Sequence, residues 1–130
     1  MIIAKKLQDI DNVLIDPWSG MHCASGVILN ILNVNKYHSL FLAVLWEFIE
    51  NSNLGPKLWT IFCFNDYKGD SYINIFSDIF FVFMFSQLDI KTISKIKLLL
   101  VCLFYFKYYY CLLNYADLDV IYHPLTLKHK

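Results

Sequence analysis

Residues 37–52 read YHSLFLAVLWEFIENS. The run is apolar enough for a helix buried in lipid, yet it places Glu47 and Glu50 three residues apart with Asn51 beside them, all on one helical face. An ionisable side chain at the centre of a bilayer costs about 2.5–3.5 kcal/mol, against a gain of about 0.3–0.6 kcal/mol for each Leu, Ile, Phe or Val. About ten apolar residues thus contribute roughly 3–6 kcal/mol, and two carboxylates cost roughly 5–7 kcal/mol. Such a helix needs neighbours that turn polar groups toward it.

The composition sets the medium. The chain has 130 residues, 58% hydrophobic and 18% aromatic, with a mean hydropathy of +0.47, above the usual apolar share of a water-soluble domain. Eleven acids and eleven lysines are too few to dress that surface in water, so a lipid bilayer is the expected partner. Net charge is zero, which gives no electrostatic case for nucleic acid. Cys23, Cys63, Cys102 and Cys111 form no CxxC pair and read as small buried hydrophobes.

Four helices are expected outward from this stretch. Asp16-Pro17 opens the first, about 17–33, as an acidic cap followed by proline where its missing N–H costs nothing. Asn35-Lys36 separates it from the second, 37–52, which Gly55-Pro56 terminates. KLWTIFCF, residues 57–64, is too short to span and reads as an interfacial segment or a strand-like connector. Asp70 can cap the third helix, about 71–88, and the fourth, about 92–114, holds LLLVCLFYF, the clearest spanning signal. Lys107 within it has two readings, snorkelling to an interface or pairing with Asp78. The aromatic run FYFKYYY, 104–110, reads as a belt or packing surface. The expected fold is all-α, a multi-pass transmembrane bundle of one domain.

Each of the first three helices carries one polar stripe. Ser19, His22, Gly26 and Asn30 share a face of the first, Glu47, Glu50 and Asn51 of the second, and Asp70, Asn74 and Asp78, spaced by four, of the third. His22 could be a structural histidine or the partner of Glu47 and an aspartate. Glu50 could share a proton with Glu47 or meet water at the helix end. Asp70 has the plain alternative of a helix cap.

DPWSGMHCASG (16–26), WEFIENS (46–52) and YKGDSYINIFSDI (67–79) follow in order. Together they resemble an uncharacterised family of bacterial multi-pass membrane proteins with the pattern D-P-x-S-x-x-H-x-x-H-G, W-E-x-x-E-N-S, Y-x-G-D-S-x-x-N-x-x-x-D. That family is similar in turn to the VanZ-like group, small helical membrane proteins with a His, a Glu and an Asp or Asn on successive helices. The likeness covers about residues 16–80, and His123-Pro124 is a fainter echo further on. Ser25 stands where the pattern has its second histidine, so a mechanism of paired imidazoles does not carry over. Membrane residence and the helical fold are what the resemblance implies; it brings no reaction with it.

These readings converge on one expectation, a site that binds or modifies a polar headgroup or a lipid-linked substrate. Glu47 or Asp78 would be acid or base with Glu50 beside them, His22 their partner, Asn51 and Asn74 orienting groups, and Asp16, Asp70 and Ser71 further binding residues. The alternative is a non-enzymatic scaffold in which the same groups hold the helices together. No cofactor is expected, and if a metal were bound, the oxygen-rich set would suit Mg²⁺ or Mn²⁺ better than Zn²⁺.

Overall fold

The computed structural model describes residues 2–5, 9–61, 69–89 and 91–122, with side chains as far as Leu113. The fold is all-helical: α1 Trp18–Ile31, α2 Lys36–Glu50, α3 Gly55–Ile61, α4 Tyr72–Ser86 and α5 Thr92–Tyr122. Extended pairing among the described residues is one isolated parallel bridge, Ile3 with Ile15. Cys63 and the His123-Pro124 pair lie outside the described residues.

Local chemistry sets the helix ends. Pro17 already has helical dihedrals, φ −57° and ψ −36°, so the residue that caps α1 by geometry is Asp16. Its Oδ1 accepts from the Ser19 N–H at 3.1 Å while Ser19 Oγ accepts from the Asp16 N–H at 3.1 Å, a reciprocal capping box. Asn33 closes α1 at φ +54°. There the Asn33 N–H reaches Asn30 O and the Val34 N–H reaches Leu29 O, the paired bonds of a Schellman end. Asn35 Oδ1 then caps α2 by accepting from the N–H groups of Tyr37 and His38.

Two expectations change here, and one of the two readings of Lys107 drops out. Gly55-Pro56 ends α2 but also opens α3, because a proline in the first turn lacks only an N–H that has no helical acceptor. The start of KLWTIFCF is therefore helix and not strand-like. At α4 the cap is Ser71, whose Oγ accepts from the Asn74 N–H, while Asp70 is held by Asn51 instead. Lys107 is exposed, and no ion pair joins it to Asp78 among the described residues.

Helix α1 packs against α4 and α5, and α2 packs against α4. The residue pairs that meet show α1 and α4 parallel, with α2 and α5 running the other way. Along the α1–α4 seam, Asn30 Nδ2 donates to Ser86 O at 2.7 Å across a separation of 56 residues; His22 and Asp78 meet at that same separation. Between them the backbones nearly touch. A Cβ on Gly26 would lie 2.5 Å from Val82 O, and one on Gly20 would lie 2.8 Å from Cys102 O on α5. Small residues at such crossings are how helices approach when packing, and not water, brings them together.

The sides of the bundle are reversed relative to a protein in water. Ser19, Asn30, Ser39, Glu47, Glu50, Asn74, Ser77 and Asp78 are buried, whereas Phe48 is 75% exposed, Phe104 70% and Phe76 67%. Water-facing folds rarely show large apolar patches of this kind. Within α5, the 22 residues Thr92–Leu113 are long and apolar enough to cross a membrane; the most apolar 18 of them have a mean hydropathy of 1.6, and only 11% of those are buried in the chain. The core helix of a soluble protein would be mostly covered.

Candidate functional site

The three stripes meet at the end of the bundle where α1 and α4 begin and α2 finishes. His22 sits between two acids, its Nε2 3.5 Å from Asp78 Oδ2 and its Nδ1 4.0 Å from Glu47 Oε1. Glu47 is 4% exposed and Asp78 1%, so the imidazole bridges two carboxylates in a region of few competing dipoles. Ser77 Oγ adds a contact to Asp78 Oδ1 at 3.4 Å.

One turn further along α2, Glu50 continues the cluster. Its Oε1 accepts from the Trp59 indole N–H at 2.8 Å, and its Oε2 is buried with no hydrogen-bond partner among the described residues. Asn51 Nδ2 donates to the Glu47 carbonyl at 3.1 Å and reaches Glu47 Oε2 at 3.4 Å. The same side chain holds Asp70 through its backbone N–H and carboxylate. Glu47 thus lies at the meeting point of two groups, His22–Glu47–Asp78 and Glu47–Glu50–Asp70, each offering ligand atoms within 4.8 Å of one another.

A cavity of about 370 Å³ opens on this cluster. Its polar wall is His22, Ser25, Glu47 and Glu50, and Trp18, Trp46 and Trp59 with aliphatic residues from α1 and α2 make the rest. Its size and apolar lining with a few converging polar groups match those of small-ligand sites. Trp18 and Trp59 pack with their rings tilted, 5.0 Å between centroids, and Phe106 closes on Trp18 at 4.9 Å.

Asp16, Ser71 and Asn74 occupy a different position. Asp16 is fully buried and accepts from the N–H groups of Ser19 and Asp11. Asn74 Nδ2 donates to Val13 O at 3.0 Å and lies 3.4 Å from Asp16 Oδ2. Ser71 caps α4, and its own N–H binds Asp11 O at 2.8 Å. These three fasten the segment before α1 onto α4, behind the cavity and not in its wall. Asp11 lies in this loop outside the helices; burial first, then the negative charges of Asp70, Asp16 and Glu50, push its carboxyl from 3.8 up to about 8.

Sequence reasoning passed over Trp59 and Ser77 as site residues. Trp59 reads as an interfacial anchor, and only the turn that folds α3 back brings its indole to Glu50. Ser77 had a usable signal, since it lies three residues after Asn74 on the stripe-bearing helix. Compared with protein-family models, curated proteins and solved structures, the chain matches none.

Proposed function

We propose that the chain is a multi-pass integral membrane protein whose His22–Glu47–Glu50–Asp78 site binds a polar headgroup or a lipid-linked ligand. One observation carries the reading: a cavity walled by buried carboxylates and an imidazole lies inside a bundle whose outward side chains are apolar. Intramembrane ionisable residues facing a cavity mark functional sites more often than packing. Two of the walls come from the WEFIENS and DPWSGMHCASG stretches, which belong to the set that resembles the uncharacterised membrane family related to the VanZ-like group. In this reading His22 and Glu47 meet the ligand's polar end, Asp78 holds the imidazole, Glu50 and Asn51 orient it, and the aliphatic lining takes a lipid chain. Acid–base chemistry at Glu47 is compatible with this geometry.

The test is ligand retention. The full chain, reconstituted in lipid nanodiscs of known composition and released for native mass spectrometry, is expected to keep one lipid. Ala43→Trp fills the cavity from a lining position, and Glu47→Gln removes a charge from its wall. Each should cut retention at least 10-fold, while Phe48→Ala on the outer face leaves it unchanged. Equal retention by all four proteins would refute a ligand site.

The scaffold reading draws on a separate observation, the closed bonding of Asp16 and Asn74 to backbone groups. It applies to that half of the polar residues, which hold helices together, and predicts no ligand at all.

A further inference from the structure

Glu47, Glu50 and Asp78 outnumber the cations that face them among the described residues. Among the described residues no lysine pairs with Glu47, Glu50 or Asp78, and His22 is the one basic group that meets two of them. Buried charge without a counter-charge is strongly unfavourable. Glu50 sharpens the point: it is 6% exposed, one oxygen is satisfied by Trp59, and the other is buried with no donor among the described residues. A buried acceptor left unpaired costs about 1–3 kcal/mol, a cost that a cation at that oxygen would remove.

We propose that the cluster is a divalent-cation centre in which Glu47 is shared by two subsites, one formed with His22 and Asp78 and the other with Glu50 and Asp70. The ligand atoms of each group lie within 4.8 Å of one another. An octahedral ion with bonds of about 2.1 Å separates its ligands by roughly 3–4 Å. Closing either group onto an ion therefore takes side-chain movements of about 1 Å. Five ligands supply four carboxylates and one imidazole, a hard, oxygen-rich set that favours Mg²⁺ or Mn²⁺ over the thiol-loving metals. His22, Glu47 and Glu50 face the cavity, which gives an ion entry and room for the waters that such ions retain. The inference rests on the preceding reading for its setting, a polar site inside the bundle, but the ion requires no lipid.

Mn²⁺ is the probe. The full chain, purified in a nonionic detergent free of phosphate and metal, is titrated with Mn²⁺ while the free-ion electron paramagnetic resonance signal is followed. Two ions per chain are expected. Glu47→Gln should weaken both at least 10-fold, His22→Ala should lose one, Glu50→Gln should lose the other, and Asp89→Asn, exposed and remote, should keep both. His22→Ala and Glu50→Gln lie on opposite sides of the centre and remain informative if Glu47→Gln does not fold. A wild-type stoichiometry below two, or full stoichiometry in both of those variants, overturns the shared centre. Lipid retention lost with Mn²⁺ binding intact would remove the ligand reading alone; the reverse would remove the metal centre alone.

Discussion

Asn51 and Asp70 grip one another across the gap between α2 and α4: the Asp70 N–H donates to Asn51 Oδ1 at 2.6 Å, and Asn51 Nδ2 donates back to Asp70 Oδ2 at 3.1 Å. The last residues of the WEFIENS stretch thereby hold the first residues of the GDSYIN stretch, and the same amide steadies Glu47. Asn51→Ala should cost about 1 kcal/mol for each bond lost. Asn51→Asp should cost more, because it keeps the size, removes the donor and adds a third negative charge beside Glu47 and Asp70. Thermal unfolding in detergent checks the order; an Asp variant as stable as the Ala variant would contradict it.

Asn74 joins α4 to the segment before α1, and its removal orphans Val13 O inside the fold. Asn74→Ala should lower stability by about 1–3 kcal/mol, while Ser25→Ala, at an exposed hydroxyl bonded within its own helix, should be near neutral. Paired melting curves of the two variants decide it. Comparable losses would mean that the fastening is not where the bonds place it.

The α1–α4 seam leaves no space at Gly26, where a Cβ would meet Val82 O at 2.5 Å and Phe85 Cβ at 2.8 Å. Gly26→Ala should therefore destabilise by about 1–3 kcal/mol, although alanine is the better helix former by about 1 kcal/mol. A neutral or stabilising result in the same melting assay would show that the helices can part at little cost.

Asp11 supplies a pH signature. Its carboxyl is raised from 3.8 to about 8, so the folded chain binds this proton more tightly than the unfolded chain. Stability from this group is complete below the unfolded value, and it is lost as pH rises through the folded one. Asparagine tolerates the φ of +66° found at this position. Asp11→Asn should thus match the wild type in Tm near pH 4 and exceed it by a few degrees above about pH 8. A gap independent of pH would place the effect in packing and not in proton linkage.

The proposed multi-pass residence in a bilayer is tested from outside the helices. Spin labels at Phe48, Phe76 and Phe104, exposed positions on α2, α4 and α5, should collide more with oxygen than with a water-soluble nickel chelate once the chain is in liposomes. A label at exposed Asp89, beyond the end of α4, should show the opposite preference. Nickel-dominated collisions at Phe48 or Phe76 would leave α5 as the only spanning helix.

Much of this architecture was legible because one periodicity governs it. Residues spaced by three and four share a helical face whatever the tertiary structure, so Ser19, His22, Gly26 and Asn30, like Asn74 and Asp78, could be grouped before any coordinates. Gly55-Pro56 and Asp16-Pro17 marked helix boundaries through the geometry of proline alone. The parallel seam of α1 with α4 was not legible, since helices of one periodicity can pair in either direction. Nor was the division of the polar residues into a cavity wall and a closed fastening. Asn74 and Asp78 look alike on the stripe, and only the path of residues 9–16 over the bundle end gives Asn74 a carbonyl to bind. Ser71 displaced Asp70 as the cap of α4 because Asn51, distant in sequence, had already engaged Asp70.

The opening residues are secured by the far part of α5: the Tyr105 hydroxyl donates to Asp16 O, and the Tyr109 hydroxyl to Ala4 O, across 89 and 105 positions, while Ala4 and Val13 pack on Leu113. During synthesis this segment leaves the ribosome long before α5 and is thus among the last parts to find its seat. Until α5 has been made, the segment has α4 to lie against through Asn74 and Ser71 but not its second support, and the carbonyls of Ala4 and Asp16 lack their tyrosine donors. An interruption of translation before α5 would leave α1–α4 with that end of the fold half covered.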